Sequence, residues 1–218
     1  MARAVSGPPC TPAALEEAAA KLGFSLSAEG LESLAAYLAL LEKWNKVMNL
    51  VGPGSWRDIF DSLIVDSLHL AGLVAGLPLP PAPLCRDLGA GAGLPGIPLR
   101  MLWQAGHYTL VEAREKRALF LKTVLASRAL PGVSVFQGRA EVFMAAQPPA
   151  DLTVSRAFMP WRDVLALIDP HTAPGGFCVF LTLAPMPDEL PQGWASFAER
   201  VYPVSKDTRY FWVLRKTP

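Results

Sequence analysis

A run of glycines near the middle of the chain has the spacing of a ligand-binding turn. Asp87 stands two positions before the first glycine, and the run reads Leu88-Gly89-Ala90-Gly91-Ala92-Gly93-Leu94-Pro95-Gly96. Glycine lets the backbone adopt positive φ and approach a ligand closely, and the first N–H groups of a following helix are free to bind that ligand. Pro95 suits the first turn of such a helix, where its missing N–H removes no bond. We therefore expect a strand, a tight turn and a helix that hold a nucleotide-like cofactor.

Two classes of cofactor suit this turn. Gly91, Gly93 and Gly96 satisfy the dinucleotide pattern G-x-G-x-x-G, and Glu112 follows about 20 residues later, as that pattern requires. Asp87 favours the other class, because its carboxylate would repel a pyrophosphate and attract the sulfonium and ammonium groups of S-adenosylmethionine. The arrangement D-x-G-x-G-x-G resembles the first motif of Rossmann-like methyltransferases. A ligand-free turn is the remaining alternative.

Three further places carry candidate cofactor contacts. Glu112 ends the second predicted strand, where its carboxylate could accept both ribose hydroxyls or simply begin a helix in solvent. Gly138-Arg139-Ala140-Glu141 follows the third strand and indicates an adenine contact, or else a solvated helical turn. Arg156 ends the fourth strand after an apolar run, where a guanidinium needs a carboxylate, a ligand or a phosphate. We expect Arg156 to be a reactive-site residue; the alternative is a structural ion pair with Asp87 or Glu141.

Basic residues on one predicted helix form a candidate surface for RNA phosphates. These residues are Arg114, Arg117, Lys122 and Arg128. The net charge of the chain is only +1, so contact with a nucleic acid would depend on a local cluster of this kind. A solvated helix face is the alternative explanation for the same pattern.

Cysteine and histidine usage predicts neither a disulfide framework nor a metal site. Cys10, Cys85 and Cys178 are widely spaced, and the three histidines lack the spacing of metal ligands. The first residues do not resemble a signal peptide, and no apolar run reaches the ~18 residues that a membrane span needs. We therefore expect a cytoplasmic protein that binds no metal and no membrane.

The elements that must position these residues fall into two regions. Residues 1–77 are predicted to form a helical cap, with helices starting at Thr11-Pro12 and running over about Ser27–Asn49 and Ser55–Leu73. Residues 78–218 alternate strands with helices. The predicted strands are Leu84–Leu88, Tyr108–Glu112, Val133–Gln137, Leu152–Ser155 and Phe177–Leu183, and helices begin at Pro95, Glu115, Arg139 and Trp161.

This alternation predicts an α/β fold with a doubly wound, Rossmann-like sheet. Parallel strands joined by right-handed crossovers place helices on both faces of the sheet and a ligand at the carboxyl ends of the strands. Arg200–Val204 and Tyr210–Arg215 follow each other closely and predict an antiparallel pair at the sheet edge. We expect seven mostly parallel strands with an N-terminal helical extension.

Taken together, these segments resemble the RsmG family, also called GidB, whose members are S-adenosylmethionine-dependent methyltransferases of small-subunit ribosomal RNA. The resemblance covers about residues 30–216, and its most specific part is the glycine and proline string of residues 87–99. The other matching elements are Trp44-x-x-Val47-x-Asn49-Leu50, Asp66-Ser67-Leu68, Lys116-Arg117-x-x-Phe120-Leu121, Gly138-Arg139-Ala140-Glu141, Ser155-Arg156-Ala157 and Gly175-Gly176.

The resemblance implies a class I methyltransferase that methylates N7 of a guanosine in 16S rRNA and releases S-adenosylhomocysteine. It implies 16S rRNA or the small ribosomal subunit as the partner, and we expect the protein to be a monomer. The cofactor contacts that it carries over are Gly89, Leu94, Ala140, Glu141 and Arg156. Guanine N7 already presents a lone pair, so the reaction needs alignment of donor and acceptor and no general base.

The chain departs from the family pattern in two places. A Lys-Gly pair that usually ends the fifth strand is replaced in the segment Leu181-Thr182-Leu183-Ala184, and Leu63 stands where the family has a histidine before Asp-Ser-Leu. These departures leave open a second hypothesis. The chain would then be a catalytically altered relative that acts as a cofactor- and RNA-binding or regulatory module.

Overall fold

Helices come first along the chain and a seven-stranded sheet follows, within residues 8–217, which the computed structural model describes. The helices are α1 (Pro12–Ala20), α2 (Ala28–Met48), α3 (Trp56–Ile59), a π-helical segment (Phe60–Ile64), α4 (Val65–Ala75), α5 (Gly96–Leu102), α6 (Glu115–Ser127), α7 (Ala140–Ala145), α8 (Trp161–Ile168) and a 3₁₀ turn (Asp169–His171). The strands are β1 (Leu84–Leu88), β2 (His107–Glu112), β3 (Val133–Gln137), β4 (Ala150–Arg156), β5 (Thr172–Thr182), β6 (Trp194–Val204) and β7 (Asp207–Lys216).

The first two helices begin and end at residues that cap them. The Thr11 hydroxyl accepts a hydrogen bond from the Ala14 N–H at 3.2 Å, and the Ser27 hydroxyl accepts one from the Gly30 N–H at 3.1 Å. Asn49 ends α2 in the left-handed conformation, with φ of 48°. The local sequence therefore determines the bounds of both helices.

The third predicted helix is longer and less regular than its apolar spacing indicates. It continues from Trp56 to Ala75 as α3, the π-helical segment and α4. The Val65 N–H donates to the Phe60 carbonyl, five residues earlier, which identifies the wider turn. Such turns are frequent at functional sites.

The sheet has the order β3-β2-β1-β4-β5-β7-β6, with β1 to β5 parallel and β7 antiparallel to both of its neighbours. The chain winds outward in both directions from β1 and β4, so the gap between their ends is the point where α/β sheets bind ligands. Leu88 of β1 pairs with Val111 of β2 and with Ser155 of β4. The residues that follow these three positions therefore meet at one edge of the sheet.

Three strands begin three or more residues before their predicted starts. β5 begins at Thr172, where two glycines and a proline hide the strand pattern, and β6 begins at Trp194. β7 starts at Asp207 and ends at Lys216. Most β6 side chains are exposed because the strand lies at the sheet edge, so its first half lacks the apolar alternation that sequence analysis detects. The antiparallel pair at the edge is confirmed.

The two faces of the sheet pack against different helices. Along β5, Phe177 and Val179 join the core formed with α1 to α6, whereas Cys178 and Phe180 join the core formed with α7 and α8. This alternation follows from the period of two along a strand. Helices cover both faces, as the sequence predicts, and among residues 8–217 none of them is long and apolar enough to cross a membrane.

Candidate active site

The glycine turn between β1 and α5 leaves no room for a side chain at several positions, among them Gly89 and Gly96. Gly89 has φ of +70°, and a Cβ there would lie 2.6 Å from Cδ2 of Phe158. A Cβ on Gly96, the first residue of α5, would lie 2.5 Å from Oδ2 of Asp87. Both positions therefore need glycine for space, and Gly89 also needs it for its backbone conformation.

Hydrogen bonds from two distant segments fix the turn. The Gly91 N–H donates to Oε2 of Glu112 at 2.9 Å. The buried Tyr37 hydroxyl, on α2, donates to the Ala92 carbonyl at 2.7 Å. The turn is thus held from the end of β2 on one side and from the N-terminal helices on the other.

Glu112 is a buried carboxylate at the end of β2. Its Oε2 accepts from Gly91, and its Oε1 accepts from the Arg114 N–H at 2.8 Å. A carboxylate offers about four lone-pair positions, so two remain for a ligand. Because it also lines the cleft beside the glycine turn, Glu112 can still accept bonds from a molecule bound there.

A cleft of about 260 Å³ opens at the carboxyl ends of β1, β2 and β3, and we call it the cofactor cleft. Its lining includes Gly89, Glu112, Arg117, Ala140 and Phe158. Gly89, Glu112 and Ala140, which are far apart in the sequence, therefore share one cavity wall.

Asp87 lies beneath the turn and is only 1% exposed. The Tyr108 hydroxyl donates to its Oδ2 at 3.4 Å. Burial raises the pKa of this carboxyl to about 7, although the bonds from Tyr108 and from the Gly96 backbone lower it. Contact between Asp87 and the cationic groups of a cofactor stays a prediction.

The buried carboxyl of Asp87 predicts a stability that depends on pH. The unfolded chain releases this proton near the ordinary pKa of 3.8, whereas the folded protein keeps it until about pH 7. The folded state thus binds more protons in that window, and the free energy of unfolding falls as pH rises through it, by up to about 4 kcal/mol. Urea unfolding at several pH values should show Asp87→Asn losing this dependence.

The matched control for this measurement is Asp188→Asn, which changes an exposed carboxylate. The difference in unfolding free energy between wild type and Asp87→Asn should change between pH 4 and 7 and level off above that range. An equal difference at all pH values would show that Asp87 titrates normally in the folded protein.

Besides Asp87 and Arg156, four residues that the sequence assigns to the cofactor lie outside the lining of the cofactor cleft. Leu94 is 7% exposed, and a Cβ on Gly93 would lie 2.4 Å from Cδ1 of Ile97, so both pack into the protein interior. Gly91 holds the turn to Glu112. Glu141 faces solvent, where its carboxylate lies 3.0 Å from the Arg139 guanidinium.

Arg156 ends β4 and forms an ion pair with a residue that the sequence did not indicate. Its Nη2 lies 3.4 Å from Oδ2 of Asp66, on α4. The alternative prediction, an ion pair between Arg156 and Asp87 or Glu141, is therefore wrong about the partner, which is Asp66. Asp66 lies in the helical region and Arg156 at the end of a strand, so local sequence spacing does not reveal this pair.

Asp66 collects donors from three parts of the chain. Besides the contact with Arg156, Nη1 of Arg209 lies 2.5 Å from Oδ2, and the Tyr202 hydroxyl donates to Oδ1 at 3.0 Å. Asp66 is 1% exposed. Burial, and secondarily the Asp66 charge, raise the pKa of Tyr202 well above its usual range, so its hydroxyl stays a donor.

A second cleft, of about 220 Å³, opens above this cluster, and we call it the acceptor cleft. Arg156, Ala157, Thr182, Tyr202 and Arg209 line it together with Asp66. Ala157 also lines the cofactor cleft and has φ of 51°, a left-handed conformation unusual for a residue with a side chain. The two clefts are therefore neighbours, separated at this point by a single residue.

The four basic residues of the predicted RNA surface divide into two pairs. Arg114 and Arg117 line the cofactor cleft. Lys122 and Arg128 have partners within the protein: Lys122 donates to a glutamine side chain at 3.2 Å, and Arg128 donates to Ser33 at 3.0 Å. A role in RNA binding for the four residues stays a prediction.

Sequence reasoning missed Tyr202 and Arg209 and did not assign Asp66 to a site. Asp66-Ser67-Leu68 stood out only as an element of the family resemblance, with no chemical role. Arg209 directly precedes the apolar run of β7, which is a signal similar to the one that singled out Arg156. In the described part of the chain, no group of three or more His, Cys, Asp and Glu residues is placed to hold a metal ion.

Comparison with solved structures agrees with this architecture. A mutant of MtNAS in complex with S-adenosylmethionine aligns with a TM-score of 0.61 over 95% of this chain and 78% of its own, at 18% identity. TrmN from Thermus thermophilus aligns with a TM-score of 0.53 over 70% of this chain and 48% of its own, at 20% identity. At these identities the likeness shows a common fold.

Comparison with sequences identifies more similar relatives. Ribosomal RNA small subunit methyltransferase G of Nitratidesulfovibrio vulgaris (strain DP4) is 61% identical over 193 residues, which cover 88% of each chain. The protein of the same name from Oleidesulfovibrio alaskensis is 45% identical over 216 residues, 94% of each chain. The model of the GidB family, described as rRNA small subunit methyltransferase G, matches residues 30–199. The chain therefore belongs to the GidB family.

Proposed function

We propose that this chain transfers the methyl group of S-adenosylmethionine to N7 of a guanosine in 16S rRNA. The observation that carries the proposal is the pair of clefts that meet at Ala157, one beside the glycine turn and one beside Arg156. A methyl transfer needs a donor site and an acceptor site in direct contact. The names of the relatives supply the kind of acceptor, a ribosomal RNA of the small subunit.

S-adenosylmethionine fits the residues of the cofactor cleft. Glu112 has lone pairs left for the two ribose hydroxyls. Ala140, the first residue of α7, lines the cleft, where its backbone would contact an adenine. Gly89 keeps the turn free of a side chain, so the backbone stays close to the ligand. When bound, this cofactor supplies a methyl group activated by a positively charged sulfur.

The protein's own contribution to the reaction is positional and electrostatic. Guanine N7 holds its lone pair in the ring plane and needs no deprotonation, so the residues around the clefts have to align donor and acceptor and exclude water. Arg156 ends β4 in the lining of the acceptor cleft, next to Ala157, and supplies a fixed positive charge with hydrogen-bond donors. We assign it the role of the residue that most directly supports transfer.

Residues 1–77 form the cap of this enzyme and residues 78–218 its methyltransferase domain. Arg114 and Arg117, at the mouth of the cofactor cleft, supply contacts to RNA phosphates, and Lys122 and Arg128 extend that basic surface along α6. The substrate is 16S rRNA, free or in the small subunit. The protein acts as a monomer in the cytoplasm.

Incubation with labelled S-adenosylmethionine tests this function directly. Small ribosomal subunits that lack the mark should gain one labelled N7-methylguanosine in 16S rRNA, which nuclease digestion and mass spectrometry would identify. NAD should not compete with the labelled cofactor. Saturable NAD binding in the absence of S-adenosylmethionine binding would contradict the proposed cofactor.

A second candidate function is a cofactor- and RNA-binding module without catalysis. Leu183 favours it, because this side chain is 71% exposed on the rim of the acceptor cleft, in the segment where the family has a lysine. Tight binding of S-adenosylmethionine with no label in the RNA would support this module in place of the enzyme.

A further inference from the structure

The charges at the acceptor cleft are unequal. Asp66 brings one negative charge, and Arg156 and Arg209 bring two positive ones. The side chain of Asp66 is 1% exposed and that of Arg209 is 14% exposed, so part of this cluster is shielded from water. Removing such charges from water is costly, and the ion pair recovers that cost only in good geometry. With two arginines and one aspartate, the cluster carries a net positive charge beside the cleft.

The donors of the two arginines are only partly used within the protein. Nε of Arg209 is buried and finds no acceptor among residues 8–217. Arg156 has a side-chain exposure of 23%, and its 3.4 Å contact with Asp66 involves one of its nitrogens. A guanidinium has five N–H donors, so this cluster still has donors to offer to the cleft.

The acceptors of a guanine base match these donors. On its major-groove edge guanine presents O6 and N7, both acceptors, whereas adenine presents an N6 amino group in place of O6. N7 must keep its lone pair free to receive a methyl group, so the protein can bind only O6 on that edge. An adenine amino group would face the guanidinium donors with no acceptor, which is costly in a shielded site.

We propose that the acceptor cleft selects guanine by its O6 atom, which accepts hydrogen bonds from Arg209 and Arg156, and that Asp66 is the positioning residue that fixes both guanidinium groups. This inference rests on the proposed function, because it treats the bound base as the methyl acceptor. N7 is the other acceptor on the edge of a base held by O6. Ala157 connects the acceptor cleft to the cofactor cleft. Selection and alignment thus use the same contacts.

The test compares two nucleotides that differ only in the base. The full-length protein is saturated with S-adenosylhomocysteine and titrated with guanosine monophosphate and adenosine monophosphate, up to about 20 mM, by calorimetry or NMR. Because ribose and phosphate are common to both, the ratio of dissociation constants reports on the base. Wild type should bind the guanine nucleotide about tenfold more tightly or better, the lower range of one well-formed base contact.

Three variants identify the residues that cause the preference for guanine. Arg209→Lys keeps the charge but loses the planar fork of donors, so its preference should fall below about threefold. Asp66→Asn removes the charge that fixes both arginines and should lose the preference similarly. Arg200→Lys is the matched control, since Arg200 is exposed on β6, and it should keep the wild-type ratio. Affinity for S-adenosylhomocysteine should stay within about twofold in all three variants.

The outcomes separate this inference from the proposed function. Equal affinity for the two nucleotides in wild type, or no binding of either at about 20 mM, overturns it. A loss of affinity for both nucleotides alike in Arg209→Lys also overturns it, because the cleft would then hold phosphate. If Asp66→Asn fails to fold, the test uses Arg209→Lys alone, with its nucleotide affinities and its kcat and KM for methyl transfer. If the protein labels the RNA but binds the two nucleotides equally, the proposed function stands and this inference is wrong.

Discussion

Replacing Glu112 with alanine is expected to weaken S-adenosylmethionine binding by about 100-fold or more. The carboxylate accepts the N–H groups of Gly91 and Arg114, at 2.9 and 2.8 Å, and would accept the ribose hydroxyls as well. Hydrogen bonds to a charged group contribute about 1.5 to 3 kcal/mol each, so the loss of two of them accounts for this factor. Isothermal calorimetry with the cofactor measures the change.

Two variants control for general damage. Glu115→Ala removes an exposed carboxylate three positions later, in the first turn of α6, and should leave the affinity unchanged. Glu112→Gln keeps one acceptor oxygen and should give an intermediate loss. If Glu112→Ala bound S-adenosylmethionine within about threefold of wild type, the cofactor would have to lie elsewhere.

Replacing Arg156 with alanine is expected to reduce methyl transfer by at least about 100-fold, while the protein still folds. The fold should survive because Asp66 keeps its bonds from Arg209 and Tyr202, so no buried carboxylate loses all its partners. The loss in rate follows from removing a fixed donor at the reacting centre, which costs roughly 10² to 10³ in kcat. Labelling of small ribosomal subunits measures the rate, and thermal unfolding checks the fold.

Affinity for S-adenosylmethionine in the same variant distinguishes two roles for Arg156. The sequence assigns this residue to the cofactor, whereas its side chain lines the acceptor cleft. We expect the affinity to change by less than about tenfold, with the main effect on transfer. Arg162→Ala serves as the control, since Arg162 is exposed on α8 and lies over the ring of Trp161. Unaltered transfer in Arg156→Ala would exclude it from the active site.

The parts of the site that follow from sequence are those built by neighbouring residues. A strand, a glycine turn and a helix are encoded together between Leu84 and Leu102, and the parallel order of the strands puts Glu112 at the same edge. The direction of Asp87 was harder to foresee. It points toward the face covered by α5, where Gly96 has no side chain and leaves space for the carboxyl.

The acceptor cleft could not be foreseen, because its parts come from distant segments. Asp66 belongs to the helical region, Arg156 ends a parallel strand, and Tyr202 and Arg209 lie on the antiparallel pair at the sheet edge. Each of these side chains looks ordinary in its own segment. Only the packing of α4 against the end of the sheet gives them a common partner, and no local periodicity records that packing.

The bond between the Tyr37 hydroxyl and the Ala92 carbonyl couples two parts of the molecule that the chain keeps apart. A ligand that orders the glycine turn stabilises the packing of α2 against the sheet. By thermodynamic reciprocity, a partner that stabilises this packing raises the affinity for the ligand by the same factor. A bound partner that pressed α2 onto the sheet would then raise the affinity of the cofactor cleft through this one bond.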